Sequence, residues 1–253
     1  MNGTKPALDS APIVEAVVDI DCDMPTRVDV DALDTAARAA LADRYPIARR
    51  RMLSEHQISS TPDGGPLAVT SKQALASLQY CSPDEKQLIQ FRPGGYSFNR
   101  LAPYSSLDDY LAEIERTWRL FVDTAKPVVC RAVRLRYINR IELPMTEGRV
   151  DIDEYLKLAP RLADEARLTF VGFFNHHSVL EAATGNQANI VFATQAATKD
   201  SLPILFDIEA VREVAGEPAD WQAISGRIQS LRALKNLVFR NSLTEKCLNL
   251  FRS

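Results

Sequence analysis

The sequence predicts an α+β protein with two similar β-α-β-β-β-α halves, joined in a largely antiparallel sheet with helices packed on one face. Three observations predict it. Several runs alternate apolar and polar residues with a period of two, as half-buried strands do. Two long runs repeat apolar residues at helical spacing behind residues that cap helices well. The order of these runs in the first part of the chain recurs in the second, and such βα units usually share one sheet.

The first strand is predicted at 13–22, where Val14, Ala16, Val18, Ile20 and Cys22 alternate with Glu15, Asp19 and Asp21. Pro25 ends it. Asp29 or Asp31 then caps a helix that runs to about Tyr45 and stops at Pro46. Three strands are expected at 48–59, 67–81 and 87–101. The turn signal Pro62-Asp63-Gly64-Gly65 lies between the first two, and a bulge or bend is expected at Gly94-Gly95 in the third. Ser105-Ser106-Leu107-Asp108 opens a helix with the stripe Leu107, Leu111, Ile114, Trp118 and Phe121, and Pro127 closes it.

The second half starts with a long strand at 128–143. A short helix at 151–158 follows, then strands at 168–183, 187–195 and 204–214, with a hairpin turn at Gly185-Asn186. The last helix starts at Asp220 and runs toward Asn249, with Trp221, Ile224, Ile228, Leu231, Leu234, Leu237 and Val238 as its stripe. Phe239, Leu243, Cys247 and Leu250 extend it, and docking on the chain's own core is favoured over a partner contact. Two short echoes accompany the repeated order: Ala16-Val17 with Ala132-Val133, and Val28-Asp29-Val30-Asp31 with Val150-Asp151-Ile152-Asp153. The expected organisation is a flexible N-terminus at 1–10, a first half at 11–126 and a second at 127–253.

With 46% hydrophobic and 25% charged residues in 253, the chain can bury a core without metal or disulfide staples. The net charge of −3 gives no overall basic footprint for nucleic acid. Cys22, Cys81, Cys130 and Cys247 form no CxxC pair and read as reduced, half-buried thiols of a cytoplasmic protein. Residues 1–10 carry no apolar run, so no secretory leader is expected, and no run approaches the roughly 20 residues of a membrane span.

Three stretches in this order resemble a sporadically distributed bacterial family of uncharacterised proteins of similar length: Pro12-Ile13-Val14-Glu15-Ala16-Val17, Tyr96-Ser97-Phe98-Asn99-Arg100-Leu101-Ala102-Pro103-Tyr104, and Leu135-Arg136-Tyr137-Ile138-Asn139-Arg140-Ile141. The resemblance implies the fold and a cytoplasmic location, and brings no reaction. The chain departs from the pattern at Asp21-Cys22-Asp23, where a basic-aromatic strand end is expected, so a partner contact there is not carried over.

The two Asn-Arg pairs, Asn99-Arg100 and Asn139-Arg140, are the most distinctive polar features. Alternation puts Arg134, Arg136 and Arg140 on one strand face, with Tyr137 and Asn139 on the other. Three guanidiniums cannot share a dry core unpaired. Either they meet Glu15, Asp19 and Asp21 in an ion-pair ladder, which is favoured, or they bind an anion such as phosphate. Arg49-Arg50-Arg51 reads as a solvated strand edge in preference to a binding site. His176 and His177 point to opposite faces and do not chelate one metal; with no HxH or HExxH spacing, no metal or other cofactor is expected. The chain contains no GxSxG, Walker or GxGxxG motif. Asp108-Asp109 is explained as helix capping.

Two functions follow. The favoured one is a non-enzymatic binding protein with Asn99, Arg100, Arg134, Arg136, Asn139 and Arg140 as candidate residues. Its partner would be a protein, a second copy or an anionic ligand, and its role accessory, such as defence or toxin neutralisation. The alternative is an enzyme or nucleic-acid-processing factor on a phosphate substrate, with His176 or His177 moving a proton. That version needs an imidazole within about 10 Å of the arginines.

Overall fold

In a computed structural model, residues 10–59, 68–160, 167–168 and 171–252 are described. The elements are β1 (Ile13–Asp23), α1 (Val30–Leu41), β2 (Ile47–Ser59), β3 (Ala68–Cys81), β4 (Gln87–Arg92), β5 (Gly95–Leu101), α2 (Leu107–Ala125), β6 (Val129–Pro144), β7 (Phe174–Glu181), β8 (Asn186–Thr194), β9 (Ser201–Gly216), α3 (Trp221–Ser242) and α4 (Glu245–Asn249). The strands form one sheet in the order β2-β3-β4-β5-β1-β6-β9-β8-β7. Every pairing in it is antiparallel. Each part of the chain supplies a contiguous block of strands, and the blocks meet at β1 and β6.

Alternation decides which side of the sheet faces the helices. Ala16, Val18, Ile20 and Cys22 of β1 are buried in one apolar cluster with residues of α1, α2 and α3. Glu15, Asp19 and Asp21 therefore point to the other, open face. Two aromatic groups fill the core. Trp118 and Phe121 of α2 cover Tyr96 and Phe91. Phe239 of α3 stacks on Phe206, which stacks on Phe192 with ring centroids 4.1 Å apart. Each such ring contributes roughly 1.5–3 kcal/mol on burial.

The caps follow the sequence. Asp29 accepts from the Asp31 and Ala32 amides at the start of α1, Ser106 from the Asp108 amide of α2, and Asp220 from the Ala223 amide of α3. Burial of Phe239, Leu243 and Cys247 docks the C-terminal stripe on the chain's own core.

Five of the expected elements need correction. The run 87–101 is two strands, β4 and β5, because Pro93-Gly94 turns the chain through a hairpin. The segment 151–158 forms only one 3₁₀ turn, Ile152–Glu154. Helix α1 stops at Leu41, with Tyr45 buried beyond its end. Strand β7 begins at Phe174, not 168. The last helix breaks at Leu243, which is extended, and Thr244 caps α4 by accepting from the Cys247 amide. The expected turn at 62–65 and nearly all of the N-terminal segment lie outside the described residues. The four cysteines are fully buried rather than half-buried, and all are free thiols. No helix among the described residues is long and apolar enough to cross a membrane.

Candidate functional site

The arginines of β6 meet carboxylates. Arg134 Nε lies 2.8 Å from Asp21 Oδ2, with Glu209 at 3.8 Å. Arg136 Nε donates to both oxygens of Asp207, at 2.9 and 3.0 Å. Arg140 pairs at 2.8 Å with Glu142, its neighbour on the same strand face. Of the predicted acids only Asp21 pairs with this arginine set. Asp19 accepts from Ser97 and lies 3.5 Å from Arg92 of β4, and Glu15 accepts from Asn99 at 2.7 Å. Asp207, the main partner of Arg136, was missed because β9 was not foreseen beside β6.

These contacts join into two rows across the open face. In one, Arg92 reaches Asp21 at 2.9 Å, Asp21 meets Arg134, and Asn189 donates to Glu209 at 3.1 Å and accepts from Ser178 at 2.8 Å. Arg92 spans β5 because the residue between it and Asp21 is Gly95, which has no side chain in the way. In the other row, Gln79 donates to Gln90, Gln90 to Asn99 and Asn99 to Glu15. Hydrogen bonds donated to Asp207 hold the Arg136 guanidinium above its usual pKa. Burial pulls Arg134 down, but its contacts with Asp21 and Glu209 outweigh that and raise it. Burial drives the Asp19 carboxyl up despite the Ser97 hydrogen bond. The three arginines are thus paired with carboxylates, of which only Asp21 belongs to the expected set.

The six predicted residues do not form one site. Asn99, Arg134, Arg136 and Arg140 lie on the open face, while Arg100 and Asn139 lie on the helix face. Arg100 sits 5.5 Å from the Tyr110 ring and donates to the Pro103 carbonyl at 3.3 Å. Asn139 is buried and donates to the Phe206 carbonyl at 2.9 Å. His176 shares the open face, but β8 and β9 separate its strand from β6, about 14 Å at normal strand spacing. His177 points to the opposite face. The two imidazoles thus do not share a face. In the basic triplet, Arg50 pairs with Asp31 and Asp34, both at 2.8 Å, and Arg49 with Glu85 at 2.8 Å. β2 is indeed an outer strand. No cluster of three metal-ligating side chains occurs among the described residues.

A different place gathers cations on the helix face. On the helix face, the start of β1, the loop before α2, β6 and α3 enclose a cleft of about 190 Å³. Arg232, Lys235, Asn236 and Arg240 line it from α3, at the spacing that puts residues on one helix side. Tyr137 and Asn139 line it from β6, and Tyr104 from the loop. The Tyr104 and Tyr137 hydroxyls are 2.7 Å apart. Burial pushes both phenols up, so they act as neutral hydrogen-bonding groups. Lys235 Nζ stands 3.9 Å from the Tyr137 ring centre, and the residue is only 9% exposed. Arg232 is held by Asp108, outside the lining, at 2.7 and 2.9 Å.

Of the predicted candidates only Asn139 enters this cleft. The others were missed because the apolar stripe of α3 was read through Leu237, which is in fact 51% exposed. Ile224, Ile228, Leu231, Lys235, Val238 and Ser242, all buried, follow the helical period more closely and place Lys235 inside. That spacing was the available signal. Searches against family models, curated proteins and solved structures found no match.

Proposed function

We propose that this chain is a non-enzymatic binding protein that holds a small anionic ligand, a carboxylate or phosphate, in the cleft between α3 and the β1–β6 strands. One observation carries the reading: Arg232, Lys235 and Arg240 line one cleft together with Asn139, Asn236 and the two tyrosine hydroxyls. The cations give the cleft a positive lining, and Asn236 and the tyrosine hydroxyls add neutral hydrogen-bonding groups. The arginine face is the weaker candidate, because its guanidiniums already serve Asp21, Asp207 and Glu142. A reducing, cytoplasmic setting fits four thiols without a disulfide. An internal duplication fits the two contiguous strand blocks.

Inorganic phosphate and acetate serve as probes, followed by amide chemical shifts and by thermal shift. Saturable changes are expected at residues of α3 and β6 that line the cleft. Lys235→Met is expected to weaken binding roughly tenfold, the scale of one charge-assisted contact. Arg140→Met, on the open face, is expected to leave it unchanged. Binding that survives Lys235→Met but fails in Arg140→Met would move the site to the arginine face and overturn the proposal.

A further inference from the structure

Cys22, near the end of β1, and Cys130, near the start of β6, face each other as register partners across the central strand pair. Their sulfurs are 4.0 Å apart, with the Cys22 thiol donating to Cys130. Antiparallel partners keep their Cα atoms about 4.5–5.5 Å apart, inside the range a disulfide spans. Closing to the bonded distance of about 2 Å therefore needs side-chain rotation more than backbone movement. The pair lies just past a register shift between Asp21 and Cys22. Exposed Val128 and the ion pair of Asp23 with Arg131 mark the strand ends beside it. Strand ends open locally at lower cost than sheet centres, which gives a small oxidant a route to two residues only 8% and 0% exposed.

We propose that Cys22 and Cys130 form an oxidisable dithiol, which a peroxide converts to an intramolecular disulfide across the β1–β6 seam. The Cys130 sulfur attacks one peroxide oxygen: an S–O bond forms, the O–O bond breaks, and the departing hydroxide takes up the thiol proton as water. The Cys22 sulfur then loses its proton and attacks the Cys130 sulfur. The S–S bond forms, the S–O bond breaks, and a second water leaves. Two thiols are oxidised by two electrons and one peroxide is reduced to two waters. The order of attack fits the surroundings, because the Cys22 hydrogen bond and Arg227 hold the Cys130 thiol below its ordinary pKa. Cys81 and Cys247 are buried on β3 and α4 and act as internal controls.

The test treats the folded full chain with hydrogen peroxide, then alkylates in denaturant and maps peptides by mass. The expected result is loss of two of the four thiols, a linked Cys22–Cys130 peptide, no intermolecular species, and recovery of four thiols with dithiothreitol. Cys81→Ala is expected to form the same link, and Cys22→Ala to form none, with its Cys130 stopping at a sulfenic acid that dimedone labels. The peptide map stands on the parent protein, so it decides the matter even where Cys22→Ala fails to fold. Four thiols left intact, Cys81 or Cys247 consumed before this pair, or sulfinic acid in place of the link would overturn the proposal.

Discussion

Asp19 is a carboxylate on a face without a helix over it, yet its side chain is only 22% exposed. Burial raises its pKa above the ordinary 3.8, and the Ser97 hydrogen bond and Arg92 only partly oppose that, while Asp21 and Glu209 add to it. The folded chain thus holds this proton more tightly than the unfolded chain, so the ionised group detracts from stability at neutral pH. The penalty fades as pH falls through the raised folded value. Asp19→Asn is expected to raise the thermal midpoint at pH 7, with the gain shrinking toward zero in acid, as melting curves across pH would show. Asp34 is the opposite case. Burial pushes it up, but hydrogen bonds from Arg38, Arg50 and Tyr80 prevail and lower it, so its contribution is present at neutral pH and lost as pH falls through the folded value. Asp34→Ala leaves the buried Tyr80 hydroxyl without its acceptor and should cost about 1–3 kcal/mol in denaturant unfolding at pH 7.

At the scale of elements, the β4–β5 hairpin depends on one glycine. Gly95 has φ +146°, and a Cβ there would sit 2.1 Å from the Ile20 carbonyl oxygen. Gly95→Ala therefore collides with the backbone of β1 and should cost more than about 2 kcal/mol. Gly94→Ala meets nothing within 4 Å and should be tolerated far better. Comparative urea melts of the two variants would show the difference. The sequence announced the Gly94-Gly95 irregularity but not its depth, because alternation on either side runs on as if through one strand. Element types and most caps were legible, since periodicity and Asp29, Ser106 and Asp220 are local signals. The cleft was not: helical spacing puts Lys235 on the buried side of α3, but that side becomes a cleft wall only when α3 is laid beside Tyr137, a long-range contact.

At the scale of the molecule, the arginine question turned on strand order. Alternation correctly placed Arg134, Arg136 and Arg140 on one face, and the idea that β1 and β6 adjoin was right. The partner of Arg136 depended on β9 pairing with β6, a long-range choice that neighbouring residues do not dictate. The resulting arrangement has a consequence for how the chain can be divided. Each block of strands belongs to one uninterrupted stretch of polypeptide, with Pro127 just past the end of α2. A chain cut between Lys126 and Pro127 should therefore yield two fragments with complementary sheet edges, β1 on one and β6 on the other. Three further contacts would guide their reunion: Trp118 to the Pro218 carbonyl, Tyr104 to Tyr137 and Arg232 to Asp108. Co-expressed, the fragments should co-purify in equal amounts with the spectrum of the intact protein. The seam is thus a latent subunit interface, carried inside a single chain.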